Sequence, residues 1–60
     1  MFIVTLIHNG TKWPLRGTVW AFSMDRATRF ETEEAARAAL LNAKPFMKAA
    51  QFKAARIERL

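Results

Sequence analysis

Few side chains in this sequence are suited to covalent or acid–base chemistry. His8 is the only histidine and Ser23 the only serine, and no third group is spaced to orient them as base and nucleophile. The chain has no cysteine, which excludes a thiolate nucleophile, a thiolate zinc site and a disulfide framework. Glu31, Glu33 and Glu34 bring carboxylates together, but at the head of a helix their simplest role is compensation of the helix dipole. Gly10 and Gly17 are the only glycines, so neither a Walker loop nor a dinucleotide fingerprint can be assembled. These residue types predict a protein that is not an enzyme and holds no metal or cofactor. An active site would require a homo-oligomer that joins His8 to carboxylates of neighbouring copies.

What remains is a set of cations interleaved with aromatics. Ten Lys and Arg against five Asp and Glu give a net charge of +5. Such a field favours encounter with nucleic acid or with an acidic protein surface. Lys12, Trp13 and Arg16 cluster early, Arg26 and Arg29 follow the aromatic pair Trp20 and Phe22, and Lys44, Lys48, Lys53, Arg56 and Arg59 make the tail basic. Strand aromatics flanked by cations are how sheet-based modules stack bases and hold phosphates. The competing expectation for Trp20 and Phe22 is core packing, because a small core needs its largest side chains. Trp13, beside Pro14 in a polar stretch, is the better candidate for a contact role. The ten candidate partner-binding residues are therefore Lys12, Trp13, Arg16, Arg26, Arg29, Lys44, Lys48, Lys53, Arg56 and Arg59, although such charge is more often only a solvated surface.

The elements that must position these groups fit one domain of sixty residues, near the lower size limit for a fold without staples. With 52% hydrophobic residues, five Phe and two Trp, the chain has the apolar material to fold. A tight helix–sheet core or oligomerisation must replace the missing disulfides. Phe2 to His8 reads as a strand ending at the hairpin dipeptide Asn9-Gly10, with large apolar groups on both faces, so both faces should be covered. Thr18 to Ser23 reads as the second strand, and Lys12 to Gly17 as an exposed loop or an edge-strand kink around Pro14. Ala27 to Phe30 is a candidate short third strand. Thr32 then caps a helix from Glu33 to about Lys44, with a Glu33–Arg37 pair and an inward stripe of Ala36, Leu40 and Ala43. From Phe46 onward the two readings compete. Periodicity favours an amphipathic helix, whereas a strand from about Phe52 to Arg59 would complete a three-stranded sheet. The expected class is α+β: a β-hairpin or three-stranded antiparallel sheet packed by one helix (about 33–44), with a C-terminal strand or a second amphipathic helix. Apolar runs are too short for a membrane span, and no Lys or Arg precedes Lys12 to start a secretory signal. A cytoplasmic location is expected.

From Trp20 to Ala35 the string W-A-F-S-M-D-R-A-T-R-F-E-T-E-E-A carries Ala27, Phe30, Thr32, Glu34 and Ala35 in an A-x-x-F…E-E-A arrangement. It resembles small phage and prophage accessory proteins, in which an aromatic strand leads into an acidic helix start and a closing strand follows; Ala55 to Leu60 matches that ending. Phe30, Thr32, Glu34 and Ala35 also resemble part of the arm-binding domain of phage tyrosine recombinases, with one residue fewer before the E-A pair. The first resemblance implies a non-catalytic phage or mobile-element accessory protein that binds and modulates a host protein or complex, such as a defence system. The alternative is a small basic DNA- or RNA-binding module.

Overall fold

Asn9 and Gly10 have φ angles of 53° and 77°, the left-handed values a type I′ turn needs at both central positions. In the computed structural model, which describes residues 1–60, they join β1 (Phe2–His8) to β2 (Thr11–Arg16). Their register runs from His8↔Thr11 to Thr5↔Pro14. Lys12 to Gly17 is thus mostly strand, in place of the exposed loop or edge-strand kink expected there, and that strand is an inner one of the sheet. Once a two-residue turn closes the hairpin, Thr11 must lie opposite His8, and the residues after it follow the ladder.

Pro14 is tolerated inside β2 because of where its missing N–H falls. Counting from the two-residue turn, Thr5↔Pro14 is a non-hydrogen-bonded pair, so β1 loses nothing. On the other side, the Ala21 N–H donates to the Pro14 carbonyl at 2.8 Å, and Pro14 cannot return the second bond. That side holds β3, which extends only over Val19–Trp20 where Thr18–Ser23 was expected. Gly17, at φ 61°, opens the two-residue turn between β2 and β3.

Beyond Pro14, β2 parts from β1 and the returning chain fills the gap. The Thr28 N–H donates to the Leu15 carbonyl at 3.1 Å, and Phe2 and Phe30 exchange two backbone hydrogen bonds of 2.7 and 2.8 Å. The strand expected at Ala27 to Phe30 is reduced to this single bridge.

The helix matches its sequence signals. Helix α1 spans Glu33–Ala43, Thr32 Oγ1 accepts from the Ala35 N–H at 3.0 Å, and Glu33 meets Arg37 at 3.6 Å. Ala36, Leu40 and Ala43 are buried and form the core with Val4 and Leu15. Two alanines in that stripe let α1 lie close to the sheet.

The C-terminal segment resolves into both expected elements in series. After a 3-10 turn at Lys44–Phe46, α2 occupies Ala49–Ala54 and β4 occupies Arg56–Arg59. Strand β4 pairs antiparallel with β1, giving a four-stranded sheet in the order β3-β2-β1-β4 instead of three strands. The free edge of β1 explains the switch: its outward N–H and C=O groups need partners, and the chain turns extended at Ala55 to supply them. Both faces of β1 are buried at Ile3, Val4 and Thr5, but Ile7 is 58% exposed. No helix is long and apolar enough to cross a membrane.

Candidate functional site

Cross-strand register decides which side chains share a face. Leu6 lies opposite Trp13 and Leu15 opposite Trp20, so these four point to the side on which Val4 and Leu15 meet α1. Helix α1 covers the Val4–Leu15 end. The hairpin end falls to α2, a helix of six residues of which three are alanine. Such short side chains leave space.

The space is a cavity of about 290 Å³ lined by Leu6, His8, Trp13, Trp20, Phe22 and Gln51. Trp13 and Phe22 meet edge to face, with ring centroids 5.1 Å apart and planes at 62°. Phe22 is 86% exposed and forms the rim, so the expectation that it packs in the core is corrected. The ladder fails at Ala21, beside Pro14, and strand alternation no longer holds Phe22 against the helix. Trp20 does pack on the core. Gln51 is held in place because its Oε1 accepts from the Lys48 N–H at 3.0 Å. The indole Nε1 groups of Trp13 and Trp20 are buried without an acceptor. An unpaired buried donor costs about 1–3 kcal/mol.

The structure scatters the basic residues of the sequence reading. Lys12 is on the opposite face of the sheet, where its Nζ binds Glu58 at 2.9 Å across β1. Arg56 shares that face, opposite Thr5. Arg16 ends β2 and Arg59 ends β4 opposite Phe2, both exposed. Arg26 is in the 3-10 turn Met24–Arg26, and Arg29 is exposed beside Phe30. Lys44 stacks its ammonium 4.9 Å from the centre of the Phe52 ring, Lys48 precedes α2, and Lys53 is exposed in its last turn. Of the ten predicted residues only Trp13 lines the aromatic cavity, and only Lys12 is in an ion pair. No three His, Cys, Asp or Glu side chains come together as a metal site.

The Lys12–Glu58 bridge has a pH signature. Its hydrogen bond from Lys12 holds the Glu58 carboxyl below the usual glutamate range, against a weaker opposing effect of burial. A lowered folded-state pKa means the stabilisation is complete above the unfolded value of about 4.3 and is lost as pH falls through the lower folded value. Because the Glu58 side chain is 37% exposed, solvent screening limits the effect. Glu58→Gln should lower stability by at most about 0.5 kcal/mol at neutral pH and by nothing in strong acid. Urea midpoints of both proteins at the two pH extremes check this; an equal difference at both would show that the loss is not electrostatic.

The fold and site together define a small α+β domain with a four-stranded antiparallel sheet, one main helix and an aromatic cleft at the hairpin end. Comparison with protein-family models, with curated proteins and with solved structures gave no match.

Proposed function

We propose that this protein is a non-catalytic accessory protein of phage or mobile-element type, which binds a host protein or complex and modulates it stoichiometrically; a defence system is one such target. The observation that carries the binding reading is Phe22, an aromatic ring 86% exposed at the rim of a cleft walled by two tryptophans. Aromatic anchors around a dry pocket are the usual make-up of interface hot spots. The phage origin rests on the resemblance of Trp20 to Ala35. The net charge of +5 favours an acidic partner. A protein partner accounts for the site better than nucleic acid does, since a backbone of phosphates needs cations aligned beside the stacking rings. Here Lys12 and Arg56 are on the face away from Trp13 and Trp20.

Immobilised wild-type protein and a Phe22→Ala variant, exposed to host lysate with and without nuclease, test the reading. A protein partner should survive nuclease treatment and bind Phe22→Ala roughly 30-fold more weakly, as expected for a hot spot of about 2 kcal/mol. The variant's stability in urea should fall by no more than the loss of its one edge-to-face ring contact with Trp13, about 0.5–1.5 kcal/mol. Loss of every partner on nuclease treatment would replace this reading with the nucleic-acid one. Undiminished capture by Phe22→Ala would remove the cleft from the interface.

A further inference from the structure

The aromatic cleft does not end at Gln51. A second cavity of about 190 Å³ shares Leu6, His8 and Gln51 with it and continues along α2, where Ile7, Lys48, Ala50 and Ala54 complete the wall. The two form one groove with unlike ends. Trp13, Trp20 and Phe22 make one end aromatic, and the other is lined by Lys48, a cation in no ion pair.

We infer that the groove takes an aromatic side chain of a partner protein together with a carboxylate next to it in the partner's chain. This rests on the protein-binding reading above and specifies what is recognised. The aromatic end, at about 290 Å³, has room for a large side chain. The edge-to-face pair of Trp13 and Phe22 presents ring edges and faces that another ring complements better than an aliphatic group does. One ammonium at the far end matches one carboxylate, whereas a nucleic-acid strand would bring a phosphate with every base.

Trp13 and Trp20 are the only tryptophans, so intrinsic fluorescence reads the groove directly. The folded protein is titrated with the blocked peptide acetyl-Ser-Phe-Asp-Ser-amide, with the same peptide carrying Asn for Asp, and with adenosine monophosphate. The Asp peptide should give a saturable change in emission and bind about fivefold more tightly than the Asn peptide, the upper range for one exposed ion pair. In Lys48→Ala that preference should vanish while affinity for the Asn peptide stays the same; Phe22→Ala should weaken both peptides. Equal affinities for the two peptides, a preference that persists in Lys48→Ala, or tighter binding of adenosine monophosphate than of either peptide would each overturn the inference. If neither peptide binds while the lysate partner is still captured through Phe22, the stated chemistry is wrong and the protein-binding reading stands. If the Asp peptide binds selectively but no protein is captured, the groove chemistry holds and the host-partner reading falls.

Discussion

Leu15→Ala is expected to remove about half of the chain's folding stability. Leu15 is fully buried, and its core neighbours Ala36 and Ala43 are too short to move into the space it would vacate. Large-to-alanine changes at such sites cost about 2–5 kcal/mol. At about 0.05–0.15 kcal/mol per residue, a chain of this length has roughly 3–9 kcal/mol of stability in total. No disulfide limits the unfolded state. Far-UV circular dichroism during a urea titration measures the effect. A loss under about 1 kcal/mol would mean that the Leu15 site collapses around the smaller side chain and that the core is less tightly defined than its burial indicates.

Trp20→Ala should cost about 3 kcal/mol, while Trp20→Phe should cost far less or stabilise. The ring packs on the core cluster, so its removal forfeits much of that contact. The indole N–H, by contrast, is buried without an acceptor, and its removal relieves a desolvation cost of about 1–3 kcal/mol. The two variants separate ring from donor. Should Trp20→Phe prove as damaging as Trp20→Ala, the N–H must be satisfied in solution and the ring is not the source of stability. Trp13 belongs between Trp20 and Phe22 in this series, because it is half-buried in β2 and not in a loop. Phe22→Ala is therefore the cleaner probe of binding.

Local signals were legible in the sequence wherever a side chain acts on its own backbone. Thr32, the paired glutamates, and the Ala36, Leu40 and Ala43 stripe set the helix and its inward face, and Asn9-Gly10 set the first turn. What escaped the sequence was decided by tertiary pairing. Pro14 argued for a loop, but whether a proline breaks a ladder depends on which edge its nitrogen faces, and that follows only from the register. The C-terminal residues carry a helical period and strand-like residue types at once, and the free edge of β1 divides them at Ala55. For the site, Trp13 was found because an aromatic beside a proline in a polar stretch stands out. Phe22 was hidden by its place in an alternating strand pattern. Gln51 gave no signal, since its role comes only from α2 crossing over Leu6 and His8.

The sheet order β3-β2-β1-β4 also bears on how quickly the chain finds its structure. β1, β2 and β3 meet through two-residue turns, so their contacts close short loops that form in microseconds. β4 must travel from the far end of the chain to dock beside β1, and that closure carries the larger entropic cost. The three-stranded meander with α1 is the natural nucleus, and docking of β4 is expected to follow the rate-limiting barrier. In stopped-flow experiments Ile57→Val should speed unfolding with little change in the folding rate, whereas Val4→Ala should slow folding. On this ordering the last strand acts as a latch, and its release would expose the β1 edge before the helix-packed core comes apart.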